Sequence, residues 1–273
     1  MTDFWRSIIL GIVEGLTEFL PVSSTGHMIL VEPLLGIRDG RMESSRIQFW
    51  KELFDIFIQT GAILAVVLYF WRPLWRLTFH STARVWHEHI LVKLFVAFLP
   101  AAIIGKLFGD WITENLKTPL VVAGALLVGG VLIILIERVV RTPKYHTVAA
   151  VPLQIALVIG VAQCLALIPG TSRSAATIMG ALAVGLTPAA AAEFSFFLSI
   201  PTMFAAGGYS LLKHRHELAS DQFALLGLGF AVSFVVALIV VAAFMRYIQT
   251  HKFTPFAVYR IILAVIVLIV ALR

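Results

Sequence analysis

Between Gly11 and His27 the chain reads GIVEGLTEFLPVSSTGH, and this stretch restricts the fold more than any other. Two carboxylates, Glu14 and Glu18, lie inside an apolar run from Phe4 to Leu20. The run then breaks at Pro21 into Ser23-Ser24-Thr25-Gly26-His27. The chain around it is 60% hydrophobic and only 13% charged, with a mean hydropathy of +0.95. A soluble domain is about half apolar and one-quarter charged, so the sequence is that of an integral membrane protein. Several apolar segments reach the roughly 20 residues that a spanning helix needs, and the alternation of a membrane β-barrel is absent. At membrane depth an acidic residue costs roughly 2.5–3.5 kcal/mol on insertion scales, so two of them require a purpose. On a helix, Gly11, Glu14, Gly15 and Glu18 share one stripe. Its glycines admit a neighbouring backbone closely, and its acids offer that neighbour something to bind.

Taken in order, Phe4–Leu20 predicts a helix stopped by Pro21, and His27–Leu35 a short second apolar piece. Neither half spans comfortably, and the pattern reads as a re-entrant hairpin whose irregular backbone must be buried in protein or line a cavity. Residues 37–51 form a polar loop. Spans are expected near 52–70, 90–109, 118–136, 188–212, 222–245 and 254–272. The segment 71–89, with Trp71, Trp75 and Trp86 among arginines and histidines, reads as interfacial. Residues 151–168 and 174–186 repeat the opening pattern around the break Pro169-Gly170-Thr171-Ser172-Arg173-Ser174. Gly160, Gln163, Cys164 and Leu167 recur at the offsets of Gly11, Glu14, Gly15 and Glu18, which suggests a duplication. Three spans between the two hairpins invert the second copy, so the hairpins enter from opposite faces and meet near the midplane. The expected fold is thus an all-α integral membrane protein: a multi-span helical bundle with two re-entrant helical hairpins in an inverted-topology repeat. It forms a single transmembrane domain over 1–273, with halves of about 1–140 and 150–273.

Charge adds little. The net charge of +6 fits loop Lys and Arg facing anionic headgroups, and no nucleic-acid motif is present. Lys and Arg divide evenly between the two membrane faces, so the positive-inside rule leaves orientation undecided. The single cysteine, Cys164, excludes an internal disulfide.

The two breaks carry complementary chemistry. The first offers Glu14, Glu18, the hydroxyls of Ser23, Ser24 and Thr25, Gly26 at the turn, and the His27 imidazole. The second offers Arg173 with the hydroxyls of Thr171, Ser172, Ser174 and Thr177. Each break starts a short helix whose free N–H groups suit an anion, and Arg173 adds a planar fork matched to phosphate oxygens. Together these make a phosphate pocket. Ser24 can be a nucleophile or a phosphate ligand, and His27 a base or acid three residues on. Glu14 and Glu18 can hold a divalent cation, since Mg²⁺ takes one or two carboxylates plus substrate phosphate oxygens. The plainer reading is an ion pair of these acids with Arg173 that locks the hairpins, with Arg260 and Glu193 as a second structural pair.

EGLTEFLPVSSTGH and PGTSRSAAT closely resemble the two signature motifs of the bacterial undecaprenyl-diphosphate phosphatase, or bacitracin-resistance, family. FDIFIQTGAILAV, EFSFFLSIP and FTPFAVYR resemble further blocks of it. Ala175 departs from the family pattern, which has Gly there. The resemblance implies hydrolysis of undecaprenyl diphosphate to the monophosphate carrier of peptidoglycan synthesis. It implies a bacterial inner-membrane location with the site on the periplasmic side, and Mg²⁺ or Ca²⁺ as cofactor. The site residues it carries over are Glu14, Glu18, Ser24, His27 and Arg173, with the choice of serine or histidine as nucleophile open. The expected partners are a polyprenyl diphosphate lipid and membrane lipids, with a homodimer open and no nucleic acid. The rival class is a transporter or flippase of a lipid phosphate. A glutamate pair beside a serine and a histidine favours hydrolysis, because transport does not need it.

Overall fold

The structure, a computed structural model, describes residues 2–37, 46–47, 49–80, 85–140, 142–214 and 222–272. Most of the polar loop expected over 37–51 lies outside the described residues, as do the side chains of His214 and His216. Among the described residues the named elements are all helices, and one isolated β-bridge joins Tyr145 to Leu186. The helices are α1 (Asp3–Thr17), α2 (Ser24–Leu34), α3 (Asp55–Tyr69), α4 (Trp71–Phe79), α5 (Ile90–Leu116) and α6 (Pro119–Val139). They continue as α7 (Leu153–Gln163), α8 (Arg173–Ala183), α9 (Pro188–His214), α10 (Gln222–Ile248) and α11 (Thr254–Ala271). Five of these segments are long and apolar enough to cross a membrane: α5, α6, residues Pro188–Gly208 of α9, α10 and α11.

The span expected near 52–70 takes a different form. A π-helical turn, Phe49–Phe54, precedes α3, and beyond Tyr69 the chain bends by 70° into α4. α3 is therefore 15 residues long, or about 22 Å at 1.5 Å per residue. The apolar run lies where expected, but the π turn and the bend shorten the straight helix.

Large apolar side chains on the outer faces of the long helices are exposed, among them Leu107, Phe108, Val128, Ile239 and Ile262. Those faces suit lipid, in which helix association depends on close packing rather than on hydrophobic burial. α1 packs against α10, and α7 against α5. The glycines at corresponding places make both approaches possible. A Cβ on Gly11 or Gly15 would stand 2.8 Å from the Gly229 or Ser233 carbonyl of α10, and one on Gly160 would collide with the backbone of Ala97 in α5. α6 and α11 lie side by side. The carboxylate of Glu137 on α6 accepts hydrogen bonds from the Phe253 and Thr254 amides at 2.5 and 3.0 Å, capping the start of α11. An acid at a helix N-terminus is favoured by the helix dipole.

Candidate active site

The two breaks have the same local construction. Ser23 and Ser172 are N-caps of α2 and α8, and each side-chain oxygen accepts from the amide three residues on (Gly26 and Ala175) at 3.3 Å. Both serines have positive φ, 73° and 70°, and among the described residues no other non-glycine residue does. Such backbone is held only where its surroundings over-determine it, and it places Ser24 and Arg173 at the first position of each short helix.

The breaks touch one another. The Ser174 hydroxyl donates to the Leu20 carbonyl at 2.8 Å and stands 2.9 Å from the Ser172 hydroxyl. Arg173 Nη2 lies 3.6 Å from Glu18 Oε1. Its Nη1 donates to the Ser195 carbonyl on α9 at 3.2 Å, and its guanidinium lies over the Phe19 ring, 5.7 Å from the centroid. The buried Arg260 of α11 fastens both breaks from behind. Nη1 donates to the Pro21 carbonyl at 3.3 Å and Nη2 to the Gly170 carbonyl at 3.3 Å. Nη2 and Nε also reach Ala125 and Leu126 on α6 at 3.1 and 3.4 Å. Irregular backbone is tolerated at membrane depth when protein groups satisfy it, and Arg260 does this for both breaks. The expected Arg260–Glu193 pair is not formed: the guanidinium binds carbonyls.

Glu14, Glu18, Ser24 and Arg173 converge here. The Ser24 hydroxyl donates to Glu18 Oε2 at 2.8 Å. Glu14 is buried, and the charges that act on it are those of Glu18, Asp55 and Arg173. His27 belongs to the same break but does not bond to Ser24. Its Nδ1 lies 2.7 Å from the Ser23 carbonyl and its Nε2 2.7 Å from the Tyr259 hydroxyl. A carbonyl only accepts, so Nδ1 carries the proton and Nε2 accepts from the tyrosine. The two rings stack at an interplanar angle of 10°. Thr177 donates to the Arg173 carbonyl at 2.8 Å and lies 2.5 Å from the Ser195 hydroxyl, so it braces α8 against α9. Thr25 and Thr171 form no hydrogen bond through their hydroxyls among the described residues, and Gly26 is buried against Leu126.

Three polar atoms inside this cluster have no hydrogen-bond partner: Glu14 Oε1, Arg173 Nε and Arg173 Nη2. Nη2 keeps its ion pair with Glu18, but buried polar groups are nearly always hydrogen-bonded, so a free acceptor and donors short of a hydrogen bond in one place describe a ligand with both cationic and anionic parts. Among the described residues, no group of three or more His, Cys, Asp or Glu could enclose a metal alone. Two carboxylates offering oxygen only do fit a hard divalent cation that takes its remaining ligands from phosphate and water.

Ser195, Phe19, Tyr259 and Arg260 also belong to the site, and sequence reasoning assigns none of them a role in it. Phe19 adjoins Glu18, and the other three lie in EFSFFLSIP and FTPFAVYR. Arg260 carries the clearest signal, a cation inside a spanning helix.

The model of the family described as bacitracin resistance protein BacA matches residues 7–266. The chain belongs to that family. It is 46% identical over 269 residues to a protein of Rhodopseudomonas palustris (strain BisB18) named undecaprenyl-diphosphatase, covering 98% of this chain and 97% of that one. Proteins of the same name from Bradyrhizobium sp. (strain BTAi1 / ATCC BAA-1182) and Nitrobacter hamburgensis are 45% and 43% identical over 270 and 268 residues, with the same coverage. The family relation covers both breaks and every helix that holds them.

Proposed function

We infer that this chain hydrolyses undecaprenyl diphosphate to undecaprenyl phosphate and inorganic phosphate. The lipid carrier returns to peptidoglycan synthesis, and bacitracin resistance follows from depletion of the drug's lipid target. The observation that carries the reading is the group of unpartnered buried atoms, Glu14 Oε1 and Arg173 Nε and Nη2, beside a serine hydroxyl bonded to a carboxylate. The ion pair of Arg173 Nη2 with Glu18, at 3.6 Å, accounts for neither Glu14 Oε1 nor Arg173 Nε.

In the reading we favour, the Arg173 fork binds two oxygens of the terminal phosphoryl group and stays with them as charge shifts onto them. Ser24 Oγ attacks the phosphorus while its proton passes to Glu18. The bond from phosphorus to the bridging oxygen breaks, and undecaprenyl phosphate leaves with the proton from Glu18. Glu18 then takes a proton from the water that opens the phosphoserine, and that proton returns to Ser24 as phosphate departs. His27 acts on this chemistry through the backbone, holding the Ser23 carbonyl and so the cap that presents Ser24. Ser23, Thr25, Gly26, Thr171, Ser172, Ser174 and Thr177 frame the phosphate pocket. Glu14 and Glu18 would hold Mg²⁺ or Ca²⁺, which neutralises phosphate charge when bound. The halves, about 1–140 and 150–273, form an inverted repeat, a reading supported by the matching caps and by the corresponding packing of α1 on α10 and α7 on α5. The protein sits in the bacterial inner membrane with the site open to the periplasm. Its substrate is a lipid.

The test is phosphate release from undecaprenyl diphosphate by the detergent-purified chain, with chelator and with Mg²⁺ or Ca²⁺ restored, beside Ser24→Ala and Glu14→Gln. Release that stops with chelator, returns with metal and falls sharply in folded forms of both variants is expected. Full release without divalent ions would remove the cation role. Normal release by Ser24→Ala would exclude the serine as nucleophile.

A further inference from the structure

Asp55, whose charge acts on Glu14, starts α3; at the far end of α3, about 22 Å along the helix, the chain bends by 70° into α4. α4 presents two stripes at a spacing of four residues. Trp71, Trp75 and Phe79 form one, a ladder of rings with centroids 5.5 and 4.4 Å apart. All three are exposed, and α4 has no buried residue. Arg72, Arg76 and His80 form the other, one position along. A helix with an aromatic stripe beside a basic one suits the plane where acyl chains meet headgroups.

Against this helix lies a cavity of about 780 Å³, lined by Arg76, His80, Trp86, His87, Glu88 and Lys93, together with the segment Ala149–Gln154 that leads into α7. A second hollow of about 500 Å³ shares Arg76 and His80 and continues to Arg72 between Trp71 and Trp75. Arg72 and Arg76 form no side-chain hydrogen bond or ion pair among the described residues. Lys93 gives one of its three protons to the Ala149 carbonyl at 2.7 Å. Among the described residues the walls of the larger hollow hold one carboxylate, Glu88, and two cations, Arg76 and Lys93. Arg76 lines both hollows, with the Lys93 ammonium in the larger and the Arg72 fork in the smaller; at an aromatic belt this matches a phosphate group delivered from the bilayer.

We propose that these adjoining hollows bind the phosphate headgroup of an anionic membrane phospholipid, held by Arg76, which lines both, with Lys93 in the larger and Arg72 in the smaller, and with its acyl chains along the Trp71–Trp75–Phe79 ladder. The site is distinct from the two breaks and does not depend on the activity assigned to them. With the breaks facing the periplasm, it lies at the cytoplasmic leaflet, where basic pockets meet anionic lipids.

The test uses the full-length protein in neutral detergent. Melting curves and native mass spectra are recorded with phosphatidylglycerol, with phosphatidylcholine and with inorganic phosphate, for wild type, Arg72→Gln/Arg76→Gln and Arg173→Ala. Phosphatidylglycerol alone should raise the melting temperature and remain as a bound adduct. The double variant should bind it roughly 30-fold more weakly, the expectation for two interfacial cations removed, while hydrolysing substrate normally in lipid-free detergent. Arg173→Ala should keep the shift. An equal shift with phosphatidylcholine, or a shift retained in the double variant, would overturn the proposal. A shift lost in Arg173→Ala would assign the lipid to the breaks instead. An Arg72/Arg76-dependent shift with inorganic phosphate alone would assign a free anion and overturn the lipid. Should the double variant melt abnormally without lipid, Arg76→Gln takes its place: loss of the adduct supports the site, and an undiminished adduct overturns it.

Discussion

Gly129→Ala should disable the site without touching any residue in it. Gly129 lies on α6 beneath the guanidinium of Arg260, and a Cβ there would overlap Nη2 and stand 2.9 Å from Cζ and 3.2 Å from Nε. The arginine must move, and the carbonyls of Pro21 and Gly170 lose their donors. Hydrogen bonds to charged groups contribute about 1.5–3 kcal/mol each. At 3.3 Å both belong near the lower figure, so about 3 kcal/mol of coupling between the breaks is lost. Positional errors of about 1 Å at a reacting centre cost on the order of 100-fold, a similar size by an independent route. We therefore expect kcat per folded molecule to fall on the order of 100-fold, with the melting temperature lower by roughly 5–10 °C. The assay is phosphate release at room temperature, normalised to folded protein, beside a detergent melt. Gly124→Ala, on the same helix with no atom within 4 Å of its added Cβ, is the control and should behave as wild type. Wild-type kcat in Gly129→Ala would refute the reasoning. So would a lowered melting temperature with unchanged turnover, because Arg260 would then be structural filling alone.

Arg173→Lys should be nearly as inactive as Arg173→Ala, because lysine supplies charge without the fork that binds two phosphate oxygens; near-normal kcat in the lysine variant, with both melting temperatures recorded, would reduce Arg173 to an ion-pair partner of Glu18. Tyr259→Phe removes the hydroxyl 2.7 Å from His27 Nε2 but keeps the stacked ring. One neutral hydrogen bond is worth about 1 kcal/mol, so kcat/KM should fall about five-fold, with a melting temperature lower by no more than about 4 °C. An unchanged kcat/KM would make the pair a resting contact without consequence.

The spanning helices are legible in the sequence because their signal is local. A run of about twenty apolar residues has few alternatives in a bilayer, and each expected span from 90 onward is observed within a few residues or a few turns. α5 runs on to Leu116 because its last turns, with Asp110 and Glu114, continue the helix beyond its apolar part. The breaks are legible too, since proline followed by small polar residues interrupts an apolar run visibly. What lies across the breaks is not. Ser24 and Glu18 are six residues apart, a spacing that places neither over the other on a continuous helix. Only the turn through Ser23, at positive φ, brings them together. The expected Ser24–His27 pair follows helical spacing, yet the imidazole turns to Tyr259, 232 residues away. Arg260 announces that it needs a partner but not which one. A carbonyl oxygen has no sequence signature, so a carboxylate is the natural expectation.

The geometry around Arg260 also bears on why two breaks are used. Ser23 and Ser172 are 149 residues apart, and so are Pro21 and Gly170, the offset that relates Gly11 to Gly160. One guanidinium thus binds the equivalent carbonyl in each break, which places Arg260 where the axis of a twofold repeat would pass. An arginine on such an axis has no counterpart of its own, since a copy would occupy the same space. A duplicated pair of capped breaks supplies two helix N-termini aimed at one point, a suitable cradle for phosphate but with no reactivity. Reactivity comes from where the copies differ. At the first helical position one break has Ser24 and the other Arg173. Upstream of those positions, Glu14 and Glu18 in the first copy correspond to Gln163 and Leu167 in the second. In the proposed mechanism one break would supply nucleophile, base and cation ligands, and the other the fork that holds the phosphoryl group. Exchanging Ser24 and Arg173 would keep the caps and the turns yet place the guanidinium against the Glu18 oxygen that now accepts the serine proton. On the proposed repeat and mechanism, shared backbone geometry builds the cradle, and the difference between the two breaks is what would make it able to cleave.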